Sequence, residues 1–316
     1  MGAALEYASP LSMIDFKGLY YPARCLIQHG DPYSESDVLR TYQGDERNHV
    51  SDPDRVRQIA TEYVYQPSAF SLTVPFAMLP WGPAHVLWMG LNFASLIFAA
   101  FLIWNLGADH APLVSGVLIG FLLANSEILA VTGNVAGIAI SLCAIGVWCF
   151  FRERYVPAGI LCFALSLAVK PHDTGLVWLY FLLAGGVYRK RALQTLVAAA
   201  VLSLPAVLWV WQTSPHWMQE LRSTFSVYSV HGGVADPGPA SSGARGLGMI
   251  VNLQAAVSFF RDDPLIYNPV SYLICGFLLF IWIFAILKTP RLAPTSRSCI
   301  GCHRGSFPAA GVSPSV

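Results

Sequence analysis

Lys170 is the charged residue whose position in this sequence most needs a chemical explanation. It follows the apolar run from Val156 to Val169 and precedes Pro171 and His172. A lysine at the end of such a run is costly unless its ammonium group reaches water or an anion. Either Lys170 extends to the outer lipid headgroups, or it binds an anion at the membrane face.

Acidic and aromatic residues cluster in the polar segment that opens the chain. Asp15 begins the segment DFKGLYYPAR (15–24), Asp31 stands in GDPY (30–33), and YVYQP (63–67) follows. Ordinary turn chemistry and aromatic packing explain such segments as well as a functional site does. An aspartate before proline, such as Asp31, is a common turn starter. Glu127 is a further acid, about one helical turn from the outer end of its apolar run. It is either an interfacial acid wetted by headgroup water or a binding group.

The elements that must hold these residues are predicted to be transmembrane helices. The chain has 316 residues, 55% hydrophobic and only 12% charged, with a mean hydropathy of +0.52. Globular domains carry roughly a quarter charged residues, so a water-soluble fold could not hide this much apolar surface. A net charge of +1 without a clustered basic face gives no reason to expect a nucleic-acid partner.

Apolar runs long enough to cross a bilayer begin after residue 68. The predicted spans cover about 82–106, 112–131, 134–151, 192–212 and 269–287. Two shorter runs, 156–169 and 174–187, are separated by Lys170 and its neighbours. They are either a short helical pair that dips toward a cavity, or their polar junction lies below the membrane surface inside the protein.

The basic residues fix a predicted orientation, because lysine and arginine in short loops stay cytoplasmic. The patches at 152–154 and 189–191 are then inside, and 1–80, 132–134, 170–173 and 213–268 are outside. We therefore expect an extracytoplasmic loop region at 1–68, a transmembrane region at 69–288 with an outside loop at about 213–268, and a disordered cytoplasmic tail at 289–316. An exported N-terminal region normally follows a transmembrane helix, and no apolar run of that length precedes Asp15, so we expect that this sequence lacks a first transmembrane helix.

The order and spacing of the segments at 15–24, 30–33 and 63–67 resemble glycosyltransferase family 87. This polyprenol-phosphate-mannose-dependent mannosyltransferase-like group has the membrane-embedded GT-C fold. In that family an Asp-Phe-x-x-Tyr-Tyr element follows the first transmembrane helix and a Tyr-x-Pro element opens the next. In this chain three residues, 17–19, separate the Asp-Phe pair from the Tyr-Tyr pair. The resemblance covers most of residues 15–212, including the Lys-Pro junction. It implies an all-α polytopic transmembrane helical bundle of the GT-C type, in the plasma membrane, with its active site facing the exterior.

The resemblance also implies roles for individual residues. Asp15 maps onto the catalytic base, and Lys170 onto a lysine that would meet the phosphate of a polyprenyl-phosphate sugar donor. The other predicted substrate contacts are Tyr20, Tyr21, Tyr63, Tyr65, His172, Glu127 and His231, with Trp217 able to stack on a sugar face. The family usually has Gly-Gln-x-Asn where this chain has GNVA (133–136), so we carry no sugar contact over to this turn.

The predicted reaction moves a hexose, with mannose favoured, from the carrier to a lipid or glycan acceptor in a single inverting step. No cofactor is expected, since the haem-like CIGCH (299–303) lies in the predicted cytoplasmic tail. No metal is expected either, because no His, Asp or Glu cluster in the sequence has metal-ligand spacing and a monophosphate carrier gives little reason for a divalent ion. Two alternatives remain at this point. A lipid or glycan transporter or flippase would also have many spans, although it would show internal repeats, and a non-catalytic envelope-assembly protein would need no base.

Overall fold

Helices are the regular secondary structure of the part of the chain that the structure describes. The computed structural model describes residues 13–45, 65–124, 132–228, 230–232, 236–238 and 252–288, and these ranges contain no strand. In chain order the helices are α1 Ile14–Ile27, α2 Glu35–Gln43, α3 Phe70–Ala77, α4 Trp81–Gly107, α5 Pro112–Ala124, α6 Ala136–Arg152, α7 Val156–Val169, α8 Pro171–Ala184, α9 Gly186–Thr213, α10 Trp217–Tyr228, α11 Leu253–Ser258 and α12 Pro264–Lys288. A 3₁₀ turn at Pro67–Ala69 precedes α3.

Three of the described helices, α4, α9 and α12, are long and apolar enough to cross a membrane by length and composition. The shorter helices α5, α6 and α7 are also apolar. Large side chains on α12 such as Leu273, Phe277 and Phe280 are exposed, which suits a lipid environment and not water. The predicted class, an all-α polytopic membrane protein, is confirmed.

The helices α9 and α12 extend beyond the apolar runs that predicted them. The run expected at about 192–212 belongs to α9, which begins at Gly186 and carries the basic residues 189–191 in its first two turns. The last run, expected at about 269–287, belongs to α12, which begins at Pro264. Hydropathy marks only the apolar part of a helix, whereas backbone hydrogen bonding continues into its polar ends.

The α7–α8 pair breaks at Lys170, as the sequence predicts. Lys170 has φ −147° and ψ 74°, outside the helical region, and Pro171 is the first residue of α8. Proline disfavours helical geometry in the residue before it and is well tolerated at the first helical position. The Lys-Pro pair therefore ends one helix and starts the next, leaving the lysine between two helix ends.

The segment before the membrane helices packs directly onto their ends. Phe16 of α1 is fully buried and stacks on Trp88 and Trp81 of α4, with ring centroids 4.4 and 5.4 Å apart. Aromatic pairs of this kind contribute about 0.5–1.5 kcal/mol beyond the area they bury. The same apolar core includes Ala206 and Val210 of α9. The helix that carries Asp15 is thereby fixed relative to the transmembrane helices.

The two basic patches, at 152–154 and 189–191, meet at the end of the helical bundle opposite to α1. Arg191 of α9 is only 8% exposed, donates a 2.7 Å hydrogen bond to the carbonyl oxygen of Phe150, and lies 3.4 Å from a carboxylate oxygen of Glu153. Its guanidinium group also lies over the Tyr188 ring. The end of α6 and the start of α9 are thus joined by one buried cation.

Candidate active site

The turn before α6 shapes the surroundings of Asp15. Gly133 has φ +67°, and a Cβ atom there would lie 2.8 Å from the Phe16 Cβ atom and 3.0 Å from the Met13 sulfur. The indole N–H of Trp88 donates a 2.8 Å hydrogen bond to the Gly133 carbonyl oxygen. Both the backbone conformation and the close approach require glycine at this position. The turn therefore presses against α1 beside Asp15.

Asn134 follows this glycine and contacts both predicted reactive residues. Its Nδ2 group donates a 2.8 Å hydrogen bond to Oδ2 of Asp15. Its Oδ1 atom accepts a 2.8 Å bond from the Ala136 amide and a 3.2 Å bond from Nζ of Lys170. Residues 15, 134 and 170, far apart in sequence, thus form one connected group.

Lys170 also has an acidic partner that the sequence did not lead us to expect. Its Nζ atom lies 3.3 Å from Oδ2 of Asp173, one helical turn further along the chain, and its side chain is 14% exposed. Nε2 of His172 lies 3.4 Å from the other carboxylate oxygen of Asp173, while the imidazole is 71% exposed. The ammonium group is shared between a neutral amide and a carboxylate, so it does not simply extend to the headgroups.

Opposing influences act on the Asp15 carboxyl group. Burial raises its pKa above the ordinary aspartate value, against the hydrogen bonds from Thr132 and Asn134 and the charge of Lys170, which all lower it. The net shift is upward. A carboxylate with a raised pKa is a stronger base than a solvated one, which is the property that proton abstraction requires.

The two tyrosines predicted to bind substrate are buried on the same helix as Asp15. Tyr20 and Tyr21 are 0% exposed; the Tyr20 hydroxyl donates to the Leu79 carbonyl oxygen at 2.8 Å, and that of Tyr21 lies 3.4 Å from Asp45. Both rings pack against Trp81. In this arrangement the tyrosines hold α1 in place, and their contact with substrate stays a prediction.

The other predicted contacts lie elsewhere or outside the described residues. Tyr65 is partly buried, and its carbonyl oxygen accepts a 2.9 Å bond from Tyr33. His231 lies 3.0 Å from Asp236, which also accepts a 2.8 Å bond from Tyr267 at the start of α12. Burial favours a higher pKa for Asp236, but the hydrogen bonds from Gly232, Gly238 and Tyr267 and the nearby His231 together lower its pKa below the ordinary aspartate value. Tyr63 and Glu127 lie outside the described residues.

Asp31, the competing carboxylate, is held in a turn. Its Oδ1 atom accepts a 2.9 Å bond from the Tyr33 amide, as expected of an aspartate that starts a turn. Its side chain also contacts Glu220 of α10, where burial and then the nearby Asp31 charge raise the pKa of the Glu220 carboxyl group. Asp31 thus faces a turn amide and an acid, whereas Asp15 faces Asn134 and the charge of Lys170.

An apolar cleft of about 530 Å³ opens at the start of α8, and Lys170 itself does not line it. Its wall begins at Pro171, the residue after Lys170, and continues over Gly175 and Trp178 of α8 to Ala199 and Ser203 of α9. Trp217 also lines the cleft and lies over Tyr33, with centroids 6.0 Å apart. An anion held by Lys170 would therefore have an apolar path beside it. In the described part of the chain no group of three or more His, Cys, Asp or Glu residues could hold a metal ion.

Residues 63–302 match the family model of Glycosyltransferase family 87. The chain belongs to this family. No curated protein and no solved structure matches it. Membership in family 87 identifies the chain as a membrane glycosyltransferase, an enzyme that needs a sugar donor and an acceptor.

The family 87 match includes Asn134, Lys170 and Asp173 but begins after Asp15. The assignment of Asp15 therefore depends on its motif and on its contact with Asn134. Sequence reasoning missed Asn134 and Asp173. Their signals were present: Asn134 lies in an outside turn of the same predicted parity as Lys170, and Asp173 stands three residues after it on a helix.

Proposed function

We propose that this family 87 enzyme moves a hexose, with mannose favoured, from a polyprenyl-phosphate carrier to a lipid or glycan acceptor at the outer face of the plasma membrane. The observation that carries the proposal is the hydrogen-bonded group of Asp15, Asn134 and Lys170 beside an apolar cleft. It combines a base, a cation for a phosphate and an apolar surface for a prenyl chain.

Asp15 acts as the general base of a single displacement. An acceptor hydroxyl oxygen attacks the anomeric carbon of the donor sugar and gives its proton to the Asp15 carboxylate. The bond between that carbon and the phosphate oxygen breaks, and polyprenyl phosphate leaves from the opposite face. One displacement inverts the anomeric configuration, and the proton later passes from Asp15 to solvent.

Lys170 binds the phosphate of the donor. The donor phosphodiester carries one negative charge, and the departing phosphate gains a second as its bond to the sugar breaks. A cation near the leaving oxygen therefore stabilises the transition state more than the ground state. The prenyl chain lies in the cleft between α8 and α9, where apolar lining matches its chemistry.

A transfer assay tests this function. Membranes that contain the protein are incubated with polyprenyl-phosphate mannose, glucose or galactose, each radiolabelled in the sugar, and with lipid or glycan acceptors. We expect label to move to an acceptor with inverted configuration, most rapidly from the mannose donor. Label that crosses the bilayer while still attached to its carrier would instead indicate a flippase, and transfer only from a nucleotide sugar would refute the carrier assignment.

A further inference from the structure

Asn134 contacts both the proposed base and the proposed phosphate-binding lysine through opposite ends of its side chain. Its Oδ1 atom is fixed by two donors, the Ala136 amide at 2.8 Å and Lys170 at 3.2 Å. Because the oxygen is fixed in this way, the Nδ2 group must face the opposite direction. There it donates to Asp15 at 2.8 Å. The carboxamide therefore has one orientation, and both of its ends are used.

We propose that Asn134 is a positioning residue that couples the donor-binding Lys170 to the base Asp15. One end of its carboxamide holds the Asp15 carboxylate in line for the acceptor, and the other end holds the ammonium group that meets the donor phosphate. This inference depends on the function proposed above. It adds a requirement that neither Asp15 nor Lys170 alone imposes, namely that the two be held by one side chain.

The coupling has an electrostatic consequence for the order of events. Without donor, the positive charge of Lys170 and the Asn134 hydrogen bond both favour the ionised form of Asp15. A donor phosphate neutralises that ammonium group and adds a negative charge nearby, so Asp15 binds a proton more strongly. The carboxylate thus becomes a better base once the donor is in place.

In the described part of the chain, the other charged and polar groups around Asp15 lie on α1, on α8 and in the turn before α6. Asp173 contacts Lys170, 3.3 Å from its Nζ atom, and His172 contacts Asp173 at 3.4 Å. On α1 itself, Lys17 places its ammonium group over the Trp81 ring, 5.6 Å from the centroid. Thr132 and Asn134 face the carboxyl group as neutral donors. Among the residues that the structure describes, Lys170 is therefore the cation through which a bound phosphate would act on Asp15.

Asn134→Asp is the variant that separates coupling from structure. Aspartate has the same shape and can still accept the Ala136 amide, so the turn before α6 is retained. It cannot donate to Asp15, and its charge repels the carboxylate. Because the Asp15 carboxylate is then no longer held in line for the acceptor, we expect kcat at saturating donor to fall about tenfold or more. Because the ionised form also loses a hydrogen bond and gains a negative neighbour, the acid limb of the pH profile of kcat/KM should move up by about one pH unit or more. Lys170→Met removes the positive charge that lowers the pKa of Asp15, so it should also move the acid limb to higher pH.

The outcomes are distinct. If Asn134→Asp has wild-type kcat and an unshifted acid limb, Asn134 is a turn residue and the coupling is refuted, while the proposed function stands provided Asp15→Asn is inactive. If Asp15→Asn is active, the base is misassigned and the coupling falls with it. If Asn134→Asp fails to reach the membrane folded, Lys170→Met decides, because an unshifted acid limb in that variant also refutes the coupling.

Discussion

At the scale of single residues, Asp15 carries the chemistry of the proposed reaction. We expect Asp15→Asn to abolish sugar transfer while the protein still binds donor. Asparagine keeps the size of the side chain and can still accept the bond from Asn134, but it cannot take the acceptor proton. General-base assistance contributes about 10²- to 10⁴-fold, so the transfer rate should fall by that factor. Transfer kinetics and donor binding are measured on the same membranes.

Asp31→Asn is the matched control for this variant. Asp31 undergoes the same chemical change in the same polar region, and an asparagine there can still accept the Tyr33 amide in its turn. It should leave transfer within a few-fold of wild type. If Asp31 and not Asp15 proved indispensable, the motif alignment would be misplaced although the enzyme class could survive.

Lys170 is expected to contribute to donor affinity more than to folding. Lys170→Met keeps much of the side-chain length and removes the charge, which eliminates a contact worth roughly 1.5–3 kcal/mol. Donor affinity should therefore fall about ten- to hundred-fold, measured by equilibrium binding of labelled donor.

The acidic partner of Lys170 requires its own control. Lys170→Met leaves the Asp173 carboxylate without its 3.3 Å partner, and that charge alone could repel a phosphate. The double variant Lys170→Met/Asp173→Asn removes the repulsion. Its donor affinity should stay well below wild type. Recovery to the wild-type value would mean that Lys170 serves only to neutralise Asp173.

At the scale of helices, α8 and α9 provide the cleft proposed for the prenyl chain. A Cβ atom at Gly175, in the first turns of α8, would meet nothing within 4 Å, so a larger side chain can enter the cleft without a backbone clash. We expect Gly175→Leu to weaken binding of a long-chain donor about tenfold and to leave a donor with a short prenyl chain nearly unaffected. Competition binding with the two donors measures this difference.

Gly276→Leu is the control for the cleft variant. Gly276 lies on α12, is exposed, and a Cβ atom added there would likewise meet nothing within 4 Å. Both substitutions replace glycine by a better helix former, so they change helix propensity alike. Only the α8 variant should distinguish donors by chain length. Equal effects on both donors would assign the cleft to packing and not to the prenyl chain.

The helices were largely predictable from sequence, and the connections among site residues were not. Long apolar runs must be helical in a bilayer, and the Lys-Pro pair must interrupt a helix, so α4, α9, α12 and the α7–α8 break followed from local rules. The contact between Asp15 and Asn134 joins residues 119 positions apart. It depends on how Phe16 packs between Trp81 and Trp88, which periodicity does not encode. Asn134 was therefore set aside although its position beside Gly133 was visible.

At the scale of the whole molecule, the side-chain contacts place the segments between helices in two groups, one at each end of the helical bundle. Asp15, Asn134 and Lys170 lie together, while Arg191 binds the end of α6 near Glu153. Counting crossings from the basic patches gives the same grouping. Two independent arguments, one from charge and one from packing, thus agree on which segments share a side, and the positive-inside rule adds the expectation that the side with Asp15 is external.

Cysteine labelling in intact cells tests this orientation. The seven native cysteines are first replaced by alanine or serine, and single cysteines are then introduced at Ser36, Arg154 or Lys190, which are all exposed. A maleimide that cannot cross membranes should label the cysteine at position 36 in intact cells, and those at 154 and 190 only after the cells are opened. This follows because α2 lies on the same side as Asp15, whereas the other two positions belong to basic patches that resist export.

Labelling of 154 and 190 but not 36 would place Asp15 in the cytoplasm. A polyprenyl-phosphate donor presented at the outer face could then not reach the base, and the proposed reaction would have to be abandoned.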